Sequence, residues 1–321
     1  MPKSLCSKYR LIEFEYNLVS KDATSCVPFR TLAFGKNKEG VRIEQSCNGL
    51  LLCSSKTLST WCRVYYVYNP YTEQYKLIPR RRGFCVLASV SLAFDPSKSP
   101  YYKVISLRQR QLGRRIEIYP SQTSSLKNCG EEFQVQGRVS SSPGVYWNGS
   151  LNWMADRGIL AYFDIDEEVI KHLTVMPYVI DGERKRVCYF DACRGHLQLI
   201  VQDNTGVGSR FDVLEVENAH TGWNLKYRID LESRLKVSYP ELVGDGLKCK
   251  VMLYDEVDTE GEGSAKLLLI QSPIGHGVIS YDINNMQFKR IHNLEQPCIL
   301  REECGMVYVR VHQYMGSLAR V

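Results

Sequence analysis

Apolar residues in this 321-residue chain recur at every second position, and that spacing commits it to strands. Ile12, Phe14 and Tyr16 alternate with Leu11, Glu13 and Glu15; Ile116 and Ile118 alternate with Arg115 and Glu117; Val307, Val309 and Val311 alternate with Tyr308 and Arg310. Residues 50–52, 197–201 and 267–270 carry apolar residues on both faces, the pattern of inner strands. Helical spacing is confined to residues 231–242, where Pro240 limits it to a turn or two. The chain reads as all-β.

One unit then repeats: a strand ending in an aromatic or β-branched residue, a short polar turn, and a second strand. Copies are Val67-Tyr68-Asn69-Pro70 with Gln74-Tyr75-Lys76-Leu77, Ile118-Tyr119-Pro120 with its Ser/Thr-rich turn, and Tyr162-Phe163-Asp164 with Ile170-Lys171-His172-Leu173. Two more are Val216-Glu217-Asn218 with Leu225-Lys226-Tyr227, and Tyr281-Asp282-Ile283 with Phe288-Lys289-Arg290. From Tyr68 through Tyr119, Phe163, Val216 and Tyr281 the steps are about 51, 44, 53 and 65 residues, close to the blade lengths of WD40 and kelch propellers. Before some units stands a second landmark, a tight turn and a buried strand: Asn48-Gly49-Leu50, Asn148-Gly149-Ser150 and Arg194-Gly195-His196. Asn-Gly permits positive φ at both turn positions and signals a two-residue hairpin. Five hairpin units plus strand material at both ends predict a ring of six antiparallel four-stranded blades, with rings of five or seven as the alternatives. In this reading the N-terminal strands, around residues 11–16 and 29–34, pair with residues 306–311 to close the last blade and remove exposed edges. Residues 1–321 are then a single β-propeller domain.

Charge and cysteine usage narrow the function. Lys and Arg number 41 against 35 Asp and Glu, a formal charge of +6, too mild and too scattered for a dedicated nucleic-acid binder. The first ten residues contain no apolar leader, and the longest nearly uncharged apolar stretch, 84–94, is too short to span a bilayer. No membrane association is therefore expected, and the cytosol or nucleus is the expected compartment. The 12 Cys are scattered with no C-x-x-C pair, so they read as reduced, mostly buried thiols. No Cys/His zinc spacing, phosphate-binding loop or G-x-S-x-G elbow occurs. Asp164 and Asp166 fit a turn better than a catalytic carboxylate pair. His196 fits a satisfied, half-buried strand position, and Tyr146, Trp147 and Trp153 fit hairpin packing. The run 255–262 reads as an acidic, solubilising loop. No catalytic residue, metal or cofactor is expected.

The landmarks, taken in order, resemble the C-terminal F-box-associated domain of plant F-box proteins. Ser46-Cys47-Asn48-Gly49-Leu50-Leu51 is similar to its S-C-N-G-L-L segment, Tyr68-Asn69-Pro70-Tyr71-Thr72 to its Y-N-P-x-T turn, and Leu92-Ala93-Phe94-Asp95-Pro96 to its L-A-F-D-P step. Gly144-Val145-Tyr146-Trp147-Asn148-Gly149, with Leu151 and Trp153, resembles G-V-Y-x-N-G-x-L-x-W. The resemblance spans about residues 46–291. It implies a kelch-like β-propeller that captures a protein substrate for an SCF-type ubiquitin ligase. Residues 1–45 are charged and strand-like, with no helical L-P segment, so the resemblance implies Skp1 and cullin as partners only where an F-box is supplied upstream or in trans. The alternative class is a propeller enzyme or glycan-binding lectin using Tyr and Trp rings, although no S-x-D-x-G-x-T-W box occurs.

The strongest surface signal is a basic segment. Arg80, Arg81, Arg82, Lys98, Lys103, Arg108, Arg110, Arg114 and Arg115 are opposed between residues 80 and 115 by Asp95 alone. The seven arginines are the candidate partner-binding residues, on loops suited to steering an acidic protein.

Overall fold

The computed structural model describes residues 9–13, 41–55, 63–79, 86–109, 113–133, 142–154, 159–175, 179–180, 183–203, 210–216, 222–238, 250–257, 265–271, 277–293, 310–314 and 317–321. Strand β1 is Tyr9–Glu13. The first sheet comprises β2 (Val41–Cys47), β3 (Leu50–Ser55), β4 (Tyr65–Asn69) and β5 (Gln74–Leu77). The second comprises β6 (Val86–Ala93), β7 (Lys103–Gln109), β8 (Arg114–Pro120) and β9 (Lys127–Phe133). The third comprises β10 (Val145–Trp147), β11 (Ser150–Met154), β12 (Ile159–Asp164) and β13 (Val169–Val175). The fourth comprises β14 (Val179–Ile180), β15 (Glu183–Cys193), β16 (His196–Asp203), β17 (Arg210–Val216) and β18 (Asn224–Asp230). After helix α1 (Glu232–Ser238) comes the fifth, with β19 (Lys250–Val257), β20 (Ala265–Gln271), β21 (Gly277–Asp282) and β22 (Gln287–Asn293); the last strand is β23 (Arg310–Tyr314).

Spatial order equals chain order in all five of these sheets, so each is a meander. The expectation of six four-stranded blades closed by the termini is corrected here. Among the described residues four sheets have four strands, the fourth has five, and β1 and β23 form a separate two-stranded sheet. Each hairpin copy in the sequence supplies the third and fourth strands of one of the first three sheets and the fifth, and the last two strands of the fourth. Terminal alternation marks strands at both ends, and among the described residues these two five-residue strands pair with each other alone. The acidic run also begins differently: Asp255 and Glu256 lie in β19, opposite Leu267 and Lys266.

Two compact units result, residues 1–173 with 311–321, and residues 174–310. In the first unit the second sheet is covered on both faces. Val90, Leu92, Val104 and Tyr119 pack with Leu50, Leu52 and Val67 of the first sheet. Ala93, Ile105, Leu107, Ile116 and Ile118 pack with Leu151, Trp153 and Phe163 of the third. In the second unit Ile200, Phe211, Val213 and Ile229 of the fourth sheet meet Val251, Tyr254 and Tyr281 of the fifth, and Leu235 of α1 joins them. Each fully buried Leu, Ile, Val or Phe contributes roughly 1.5–3 kcal/mol, so these layers are the main source of cohesion.

Two turn types recur because the sequence specifies them locally. Asn48 and Gly49 have φ of 45° and 90°, and Asn148-Gly149 and Arg194-Gly195 repeat the pattern between first and second long strands. Between third and fourth strands, Oδ1 of Asn69 accepts from the N–H of Tyr71 (2.9 Å) and Thr72 (3.4 Å). Asp164 does the same for Asp166 and Glu167, and Asp282 for Asn284 and Asn285, all at 3.0 Å. A side-chain oxygen that bonds its own following backbone is the reason Asx residues stand at these corners. In a meander the first-to-second and third-to-fourth turns lie at the same end, and Ile165 N–H donates to Gly149 O (3.0 Å) across that end of the third sheet.

Candidate interaction surface

The basic segment is divided by the fold. Arg80, Arg81, Arg82 and Arg110 lie outside the described residues. Arg108, on β7, is buried and pairs with Glu117 of β8. Arg114 is half-buried and its Nε donates to Gln109 Oε1 (3.1 Å). Arg115 is half-buried directly opposite Arg108, and its Nε is buried with no hydrogen-bond partner. Lys103 is occupied at the other end of the sheet, where its Nζ donates to Ile165 O (2.8 Å) and lies 3.7 Å from Glu168. Lys127 donates to both Glu168 oxygens, at 2.7 and 2.9 Å. Of the described cations of this stretch, Lys103 ties the second sheet to the third, whereas Arg108 and Arg114 are held within the second sheet.

The end opposite the Asn-Gly turns carries, besides Arg108 and Arg115 of the basic segment, a pair that the sequence does not mark, Arg63 and Glu44. On β3 and β4, residues in register with Leu52 and Val67 face the second sheet. Continuing that alternation away from the turns brings Ser54 and Arg63 to the same face. Ser54 Oγ donates to Glu44 Oε1 (2.6 Å), and Arg63 Nη1 lies 3.5 Å from the same oxygen. Arg63 Nε, like Arg115 Nε, is buried without a partner. On the second sheet the face of Val104 and Tyr119 continues through Arg108, Glu117 and Arg115. No local signal marks Arg63 and Glu44 as a pair, since 18 residues, including a strand, lie between them; only the period-two continuation from Tyr65 places Arg63 on this face.

The other candidates have structural partners. Asp164 closes a turn. His196 Nδ1 lies 3.1 Å from Glu215, whose carboxylate also accepts from Gln198 and Lys226. Burial alone would raise the Glu215 pKa, yet the bonds from Lys226, Gln198 and His196 hold it below the usual carboxylate range. Trp147 and Trp153 are buried, and Tyr146 is half-buried against two core clusters, so these rings are not presented as a glycan platform. Burial, reinforced by Glu73 at Tyr68 and by Asp95 at Tyr146, pushes both phenols up to about 12. Burial also raises the Cys129 and Cys188 thiols, so neither is a poised thiolate. No group of His, Cys, Asp and Glu among the described residues could hold a metal ion. No helix among them is long and apolar enough to cross a membrane. Solvent-facing rings occur at the turn end, where Tyr71 and Tyr101 are 60% and 49% exposed.

Repeated antiparallel meanders, packed through apolar faces and joined by side-chain-capped turns, define an all-β repeat protein. The chain belongs to the family described as the F-box associated beta propeller domain, which matches residues 4–318. Among curated proteins it is similar to F-box protein At5g07610 of Arabidopsis thaliana, 29% identical over 98% of this chain and 78% of that protein. It is also similar to F-box protein At5g49610 of the same plant, 28% identical over 43% of this chain and 42% of that protein. A solved structure, TolB from Acinetobacter baumannii, aligns with a TM-score of 0.39 and 14% identity over 83% of this chain and 54% of that one, a likeness too loose to bear on function.

Proposed function

We propose that this protein is a non-enzymatic recognition module that captures a protein substrate for an SCF-type ubiquitin ligase. The observation that carries the reading is the alignment of nearly the whole chain with an F-box protein of Arabidopsis thaliana. The match across residues 4–318 supports treating 1–321 as one recognition domain. Packed sheets support it physically: rigid layers hold end turns in fixed positions, which lowers the ordering cost of binding a partner. Docking to Skp1 and cullin then requires an F-box supplied upstream or in trans. Five described cysteines, Cys47, Cys53, Cys129, Cys188 and Cys193, carry no disulfide, which supports a reducing compartment such as the cytosol or nucleus.

The test is affinity capture from plant extract, with the proteasome inhibited, using the chain alone and the chain fused behind an F-box. Skp1 should be retained by the fusion and not by the chain alone. The same substrate proteins should be retained by both and should accumulate when the proteasome is blocked. Retained proteins whose abundance ignores proteasome inhibition, or the absence of any specific protein, would overturn the ligase reading.

A further inference from the structure

We infer that the seam between the first and second sheets, at the end away from the Asn-Gly turns, is a binding site for a carboxylate-rich segment of a protein partner. The inference rests on the recognition-module reading and assigns the chemistry of one contact within it. Three arginines, Arg63, Arg108 and Arg115, share this end of the seam with two carboxylates, Glu44 and Glu117. Among the described side chains three guanidinium groups face two carboxylates, in a place where Glu44 and Glu117 are only 8% and 6% exposed.

A fold selected only for stability would not keep this arrangement. Arg108 and Arg115 are direct cross-strand neighbours, and like charges so placed repel. Glu117 compensates Arg108 alone. Buried guanidinium donors without partners are costly, and here there are two, the Nε atoms of Arg63 and Arg115. Both residues remain partly open to solvent, so an entering group can reach them. The guanidinium charge among the described side chains and the unpaired donors call for an oxyanion, and a guanidinium fork binds a carboxylate through two parallel bonds. The seam already shows this preference, because Arg63 and Arg108 each lie against a glutamate. Like-charge strain in the free protein is then relieved when an acidic side chain enters between the strands.

The experiment uses the full 321-residue chain and a fluorescein-labelled hexaglutamate peptide, read by anisotropy at low ionic strength, together with thermal unfolding of the free protein. Arg115→Gln should weaken peptide binding by about tenfold or more and should raise the melting temperature of the free protein by about 2 °C. Arg115→Lys keeps the charge without the fork and should retain only part of the affinity. Arg210→Gln, an exposed arginine paired with Asp230 on the fourth sheet, should leave binding unchanged. Equal binding by Arg115→Gln, equal losses in Arg115→Gln and Arg210→Gln, or a lowered melting temperature in Arg115→Gln would each overturn the inference. If the inference fails while the F-box fusion still recruits substrates, the recognition-module reading survives without this site.

Discussion

The Gly144-to-Trp153 contact offers a sharp test of how the family-like G-V-Y-x-N-G-x-L-x-W segment builds the third sheet. A Cβ added at Gly144 would lie 2.6 Å from Trp153 Cε2, 2.8 Å from Nε1 and 3.0 Å from Cζ2. Carbon atoms in contact prefer about 3.5–4.0 Å, so an overlap of about 1 Å must be relieved. Trp153 cannot yield freely: it is 2% exposed, and its Nε1 donates to Ser89 Oγ (3.4 Å). The Gly144 backbone is held too, with its N–H on Ser91 Oγ (2.7 Å) and its carbonyl accepting from Gln45 Nε2 (3.0 Å). Overpacking costs about 1–3 kcal/mol, and losing one or both backbone bonds adds about 1 kcal/mol each. Gly144→Ala should therefore destabilise the protein by about 2–4 kcal/mol, although stiffening the unfolded chain would by itself favour alanine by about 0.4–1 kcal/mol. Trp153→Leu removes all three clashing atoms at the expense of a cavity. The double variant should then be less destabilised than the sum of the singles by about 2 kcal/mol. Urea unfolding followed by circular dichroism reads all four corners of the cycle. A cost below about 1 kcal/mol for Gly144→Ala, or additivity within about 0.5 kcal/mol, would refute the steric argument.

Asn69→Asp keeps the acceptor that closes its turn but removes the Nδ2 donors to Ser317 O (2.9 Å) and Ala319 O (2.8 Å), at a residue with no exposed surface. It should cost about 3–5 kcal/mol and speed proteolytic release of residues 317–321; unchanged stability and protection would contradict the clamp. Tyr102→Phe should raise stability by about 0.5–1.5 kcal/mol, measured by urea unfolding, because its hydroxyl is buried without a hydrogen-bond partner. Glu215 has a folded pKa below its unfolded value, so its contribution is fully present above about pH 4.3 and is lost as pH falls through the folded pKa. Glu215→Gln should therefore show a flatter loss of stability on acidification than the parent chain, and parallel acid limbs would count against that linkage.

Local chemistry was legible in the sequence, and relations between distant strands were not. The Asn-Gly corners and the Asx corners at Asn69, Asp164 and Asp282 use only atoms within five residues, so residue identity sufficed to place them. Strand faces were legible wherever one side is wet. They were not legible in β7, where both faces are covered and Arg108 alternates with nothing that distinguishes core from solvent. An arginine expected on an exposed hairpin tip thus lies inside, against a glutamate two register positions along the neighbouring strand. The sheet count failed for a related reason: alternation proves that a segment can be a strand but does not say how many partners it finds. The same limit hid Arg63, whose significance depends on a bulge in β2 between Ile43 and Gln45 that brings Glu44 beneath it. A bulge shifts every side chain beyond it to the opposite face. Charge spacing in the sequence therefore identified a basic segment, while the register of three strands decides which of its arginines are spent on the fold and which retain capacity for a partner. Arg115 is the described member of that segment on which both criteria fall, since it has partial exposure and an unused buried donor.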